Sequence, residues 1–189
     1  MQTVMRTLAP SATTQLRADH AHVLTTFHQF EVDESPQTKH ALVNSICRAL
    51  DIHAQLEEQL FYPEMQRVVP ALVEKSVPEH AEMRRLIATL MQMQPTHPQY
   101  DPTFLNLMRI VIHHVSDEET MVFPEAERLL GDTLNEIGAH MAVRRIELTV
   151  PQMPDLARES LSALPSSLMF AAAGAVIAGS YVLRHAFRR

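Results

Sequence analysis

The sequence predicts an all-α fold: an up-down-up-down four-helix bundle, then a short fifth helix and a hydrophobic C-terminal helix. Three observations carry that reading. Ala, Leu, Met, Glu and Gln are plentiful while only 4 of 189 residues are Gly, so few positions disfavour helix. Aromatics make up 5% and Trp is absent, which disfavours a β-sandwich or barrel. One chemical pattern also occurs twice, about 60 residues apart, as a duplicated two-helix unit would give.

The elements follow in order. The first ten residues read as an arm. Ser11 or Thr13 is expected to cap a helix running to about Glu31, with Leu16, Val23, Leu24, Phe27 and Phe30 at apolar positions. Residues 32–36 form a turn. A second helix spans about 38–68; Pro63 falls inside it, lacks an N–H and is expected to kink or end it. Pro70 and Pro78 bracket a short connection, with room for some helix between them. The third helix carries His80, Met83, Leu86, Ile87, Leu90 and Met91. Three prolines within 94–102 mark a loop. The fourth helix runs from about 103 to 130 along Phe104, Leu107, Met108, Val111, Ile112 and Val115, with Gly131 as its C-cap. A fifth helix covers about 133–148. The expected organisation is an arm (1–13), a bundle domain (14–148), a linker (149–160) and a hydrophobic helix (161–189).

The repeated pattern is chemical. One copy is a His53-x-x-x-Glu57-Glu58 block ending at Pro63; the other is a His114-x-x-x-Glu118-Glu119 block ending at Pro124. Upstream of each lies an acid, a His and an Ala: Asp19-His20-Ala21 and Glu79-His80-Ala81. Four residues make about one helical turn, so His and first Glu share a face. An imidazole and a carboxylate on one face form half of a bundle-core metal site. Two copies point to two metals, with His20, His53, Glu57, His80, His114 and Glu118 as candidate ligands. The second Glu of each pair points about 100° away, which makes Glu58 and Glu119 outer residues. Among 11 His a single His-x-x-x-Glu would be unremarkable; its recurrence in a matched context is not. His22, His28, His40, His97, His113, His140 and His185 read as surface, loop or outer positions. The Met residues sit at core spacing and read as gap-filling side chains. Cys47 is the sole cysteine and cannot form an internal disulfide; it reads as a buried helix residue.

These blocks, the lone histidines and the trailing Phe-Tyr-Pro and Val-Phe-Pro resemble the hemerythrin-like (HHE cation-binding) domain over about residues 14–148. The resemblance implies a four-helix bundle holding two Fe ions as an oxo- or hydroxo-bridged non-haem di-iron centre, with Mn as the alternative metal. His20, His53, His80 and His114 match the family's iron-binding histidines, and Glu57 and Glu118 its bridging carboxylates. The implied function is binding of O2, NO or peroxide for sensing, scavenging or detoxification. Two alternatives stay open: a di-iron peroxidase, catalase-like or oxidase enzyme, in which Arg84 helps hold a peroxide anion, and a metal-dependent assembly or interaction protein. Many members carry a further ligand one turn after the lone His of helix three. Here that position is Arg84, which stays protonated and cannot ligate. The expected centre is therefore one histidine short on one iron, leaving an open position.

Charge and the C-terminal run bound the partners. The net charge is −6, and an acidic body without a basic stripe excludes nucleic acid as the main partner. The N-terminus lacks the continuous apolar core of a secretory signal. Residues 161–183 carry no charge and precede Arg184, His185, Arg188 and Arg189. About 20 apolar residues cross a bilayer, so the run is expected to be a membrane anchor on a cytoplasmic bundle domain. Ala171, Ala175 and Gly179 form a small-residue ladder suited to close helix packing. A self-associating helix in a soluble cytoplasmic homo-oligomer is thus the alternative, with an amphipathic surface helix third.

Overall fold

The computed structural model describes residues 9–150. These residues form helices and, among themselves, no strand. Ser11 caps α1 (Ala12–Phe27), its hydroxyl accepting the Thr14 N–H at 3.3 Å. The helix stops at Phe27 rather than near Glu31. Phe30 folds onto Phe104 with ring centroids 4.7 Å apart, and that packing outweighs a further helical turn. Ser35 caps α2 (Pro36–Leu56), and Pro36 sits in the first turn, where a missing N–H costs nothing.

The two long helices share an interruption. α2 passes into a π-helical turn, π1 (Glu57–Phe61), and then α3 (Tyr62–Val68). α5 (Tyr100–Asp117) passes into π2 (Glu118–Val122) and then α6 (Phe123–Leu130). Each wide turn closes through an N–H five residues on, Tyr62 to the Glu57 carbonyl and Phe123 to the Glu118 carbonyl. Pro63 and Pro124 come next. Proline has no N–H to donate, so each falls where the α ladder is already broken. Pro63 is thereby absorbed and the helix continues. Each wide turn also buries two consecutive side chains, Phe61 with Tyr62 and Val122 with Phe123.

α4 (Pro70–Gln92) starts at Pro70 and runs straight through Pro78, so the expected connection between these prolines is helix. Pro78 and Glu74 are both exposed, and the Glu74 carbonyl that Pro78 leaves unbonded can take water. Gly131 ends α6 with φ of 48°, a backbone conformation that disfavours side chains, and α7 (Thr133–Thr149) follows.

Two apolar clusters fill the interior. One holds Leu16, Leu56, Phe61, Met65, Val73, Phe123 and Met141; the other holds Val23, Ile46, Cys47, Met83, Leu90, Phe104 and Met108. α1 passes from the first cluster to the second, α2 through α3 returns, α4 passes forward again and α5 through α6 returns. α7 lies on α1 and α2 and adds Leu134, Ile137 and Met141 to the first cluster.

No described helix is long and apolar enough to cross a membrane. The run 161–183, on which the anchor and self-association expectations rest, lies outside the described residues. So do the linker and most of the arm.

α7 lies close against the start of α1 at Gly138. A Cβ there would collide with the Pro10 carbonyl oxygen and lie 2.9 Å from the Ala12 nitrogen. Gln15 fastens the same seam by donating to the Gly138 carbonyl at 2.7 Å. Gly→Ala within a helix ordinarily gains about 1 kcal/mol. Gly138→Ala is instead expected to cost about 1–3 kcal/mol, by forcing backbone apart, in a denaturant melt. An unchanged or raised stability would contradict this seam.

Candidate metal centre

Between the two apolar clusters lies a polar layer. α1 brings His20, the last turn of α2 brings His53, α4 brings His80 and the last turn of α5 brings His114. Glu57 and Glu118 are the first residues of π1 and π2. All six residues singled out by the sequence meet here, with both carboxylates at 0% exposure and every imidazole at 5% or less.

Their inner atoms converge. The Nε2 atoms of His20 and His53 are 3.3 Å apart, and those of His80 and His114 are 3.2 Å apart. Glu57 lies 3.3 Å from His53 Nε2 through one oxygen and 3.3 Å from His80 Nε2 through the other. Glu118 Oε2 lies 3.2 Å from His20 Nε2 and 3.4 Å from His114 Nε2. Each Glu thus spans the His of its own block and the lone His of the other unit. Ligand atoms of His20, His53, Glu57 and Glu118 all lie within 4.8 Å of one another, as do those of Glu57, His80 and His114. Glu57 belongs to both groups.

The outward nitrogens are equally ordered. His20 Nδ1 lies 3.0 Å from Glu119, His53 Nδ1 3.3 Å from Asp19, His80 Nδ1 2.8 Å from Glu58 and His114 Nδ1 3.1 Å from Glu79. An Nδ1–H donated to each carboxylate frees Nε2 to face inward with its lone pair once the ring is neutral, the tautomer a metal needs. The carboxylates are held in turn by basic groups. Arg145 donates to both oxygens of Asp19, Arg84 to Glu58, and His113 Nδ1 lies 2.9 Å from Glu79. Arg17 lies 3.8 Å from Glu119 and packs over the Phe123 ring. Burial opposes ionisation of Asp19, but hydrogen bonds from His53 and Arg145 outweigh it and hold the carboxyl below its usual range.

The donor set suits cations. Both oxygens of Glu57 and Oε2 of Glu118 are buried and accept no hydrogen bond. Carboxylate oxygens without donors, beside four inward imidazole nitrogens, form a shell of lone pairs. Nitrogen and oxygen donors in this mixture fit iron, manganese or zinc. In the metal-free chain, protons take the cation's place. Burial alone would lower the His53 pKa, but the Glu57 charge close by and the hydrogen bond to Asp19 raise it to about 10. His114 rises against burial to about 9, through the nearby carboxylates of Glu57 and Glu118.

The halves differ in the ring that packs on each lone His. Phe123 stacks on His20 at 5.5 Å, and its counterpart Tyr62 packs on His80 at the same distance. The Tyr62 hydroxyl donates to Glu118 Oε1 at 2.8 Å and lies 3.5 Å from His80 Nε2. Burial first, then the Glu57 and Glu118 charges, push its pKa well above the ordinary tyrosine value, so the phenol keeps its proton.

A sequence profile for the hemerythrin HHE cation-binding domain matches residues 11–126. The chain belongs to this family. A hemerythrin HHE cation-binding domain protein from Mycobacterium kansasii has a similar structure, with a TM-score of 0.66 at 21% identity over 78% of this chain and 93% of that one. This likeness extends to the fold. A DNA nickase of Nostoc is 28% identical over 64% of this chain, but the match spans 35% of the nickase. Uncharacterised proteins of Mycobacterium tuberculosis and Mycobacterium bovis are 28% identical over 60% of this chain and 73% of their own length. For this hemerythrin-family domain, cation binding is the family's description and the two His/Glu groups are compatible with it.

Several residues at the centre escaped the sequence reading. Asp19 and Glu79 were visible as the acid before each lone His, but not as partners of the block histidines. Arg145 had no signal, being 126 positions from Asp19. Arg84, at the position of the absent histidine, reaches the centre through Glu58.

Metal uptake must expel the protons on His53 and His114, so low pH opposes it and affinity rises with pH. The rise is expected to continue from pH 6.5, where a free imidazole is half titrated, to about pH 10. Chelator competition across that interval checks this; affinity that levels off near pH 6.5 contradicts it.

Proposed function

We propose that this domain holds two iron ions at His20, His53, Glu57, His80, His114 and Glu118, and binds O2, NO or peroxide there for sensing, scavenging or detoxification. The observation that carries this reading is the buried convergence of the Glu57 oxygens and Oε2 of Glu118 on four Nε2 atoms. Glu57 and Glu118 are its bridging carboxylates, because each reaches histidines of both units. His20 and His53 would hold one ion and His80 and His114 the other, with Glu57 and Glu118 in reach of both pairs. Manganese suits the same donors and is the alternative metal. The scaffold we infer is an up-down-up-down bundle across 14–148, supported by the alternate sense in which successive helices cross the two apolar clusters.

The chain's own groups set the conditions of the chemistry. The metals, when bound, supply coordination and redox reactivity toward a small oxidant. Apolar residues line much of the cavity beside the histidines: Val23, Leu50, Met83, Ile87 and Val111, with Asp19, Asp51 and Arg84 also on its wall. The outer carboxylates fix the imidazole tautomers. Tyr62 holds a proton against Glu118, within reach of His80. That proton favours a second reading, an enzyme that consumes peroxide. Nucleic acid has no part in the proposal, because the chain carries a net −6. For residues 161–183 we propose a membrane anchor, on the strength of their uncharged length. The full chain should float with liposomes and a chain ending at residue 160 should not; equal behaviour contradicts the anchor.

Metal analysis with optical spectra, anaerobic and then aerated, tests the main reading. Two irons per chain and a spectrum altered by O2, NO or peroxide are expected; absence of iron after iron-replete growth contradicts it. His53→Ala and Glu118→Ala should lower metal content sharply and His113→Ala much less. Tyr62→Phe makes the first unit match the second. It is expected to keep its iron and consume peroxide more slowly in stopped flow; wild-type peroxide loss would remove the enzyme reading of Tyr62.

A further inference from the structure

The four outer carboxylates are not alike in what anchors them. Glu119 meets Arg17 of α1, which also carries His20. Glu58 meets Arg84 of α4, which also carries His80. Glu79 meets His113 of α5, which also carries His114. Asp19 meets Arg145 of α7, a helix that supplies none of the six candidate ligands. Arg145 also lies beyond residues 11–126, where the family profile matches.

The Asp19 link has the most constraining geometry of the four. One guanidinium nitrogen of Arg145 donates to Oδ1 at 2.9 Å and the other to Oδ2 at 2.7 Å. Two parallel bonds fix the plane of the carboxylate as well as its place. Oδ2 is the atom that accepts from His53 Nδ1. His53 Nε2, at the far side of the ring, lies against Glu57 and His20. Without the fork, the carboxylate torsion of Asp19 is broad, and His53 loses a partner of fixed direction. The fork itself has a firm base, since α7 is seated on α1 through Gly138 and Gln15.

We infer that Arg145 is a positioning residue for the metal centre: through Asp19 it holds the His53 ring in register, which makes α7 part of the centre. This rests on the proposed metal-binding role of the six residues. The chemistry requires Arg rather than Lys, because an ammonium is a point charge and cannot grip both oxygens in one plane.

The test is chelator competition on the full chain loaded with ferrous iron, with thermal melts alongside. Loss of an outer partner typically weakens metal binding about 10- to 100-fold. Arg145→Gln is expected to weaken iron binding at least about 10-fold. Arg145→Lys should fall between Gln and wild type. Arg144→Gln, which removes exposed contacts to Gln59 and Glu147, should match wild type. A packing role alone lowers the melting temperature and leaves affinity unchanged. Wild-type affinity in Arg145→Gln therefore overturns the inference, whatever its melting temperature. Should the Gln variant fail to fold, Arg145→Lys decides, and wild-type affinity there overturns it too. A wild-type chain that binds no iron would strike the proposed function instead, so the two failures are distinguishable.

Discussion

Two carboxylates, Glu57 and Glu118, lie wholly buried against four imidazoles, and the rest of the structure serves that placement. An uncompensated buried carboxylate costs several kcal/mol, so positive charge must accompany the pair. In the metal-free chain it comes as protons, which is why His53 and His114 hold theirs far above the ordinary imidazole range. Cations can take over that role because the outward nitrogens are already committed to Glu119, Asp19, Glu58 and Glu79. The apolar clusters on either side keep water out and strengthen every charge interaction between them.

The backbone is shaped around the same layer. Each π turn begins at one of the buried Glu residues and ends two residues before a proline. The wider turn lets consecutive side chains face inward, so Phe61 and Val122 fill the core while Tyr62 and Phe123 lie on His80 and His20. The two units are then close geometric copies that differ chemically at Tyr62. One half meets a phenol and the other a bare ring.

What the sequence revealed and what it hid follow from the range of each interaction. Ligand candidates were legible because His and Glu one turn apart share a face, and because the pattern recurs. The all-helical class, the family resemblance, the Ser11 cap and the Gly131 cap were legible for similarly local reasons. Asp19 and Glu79 were not, because an acid adjacent to a His points about 100° away from it. Each therefore serves a histidine on the next long helix, and naming that histidine requires knowing how the helices sit. The same holds for Arg145, whose partner is in α1. Two local rules were also overridden. Pro78 stays within α4 because its face is exposed, and α1 ends early because Phe30 has a ring to pack on. The run 161–183 was the strongest membrane signal in the chain, and it lies outside the described residues.

The claim beneath all of this is that Glu57 and Glu118 are buried in order to share two metal ions. Anomalous diffraction at the iron edge from crystals of iron-loaded protein tests it most directly. The account predicts two peaks, one beside His20 and His53 and one beside His80 and His114, with Glu57 reaching both. A single peak, or iron bound only at surface carboxylates while the buried layer keeps its protons, would contradict it.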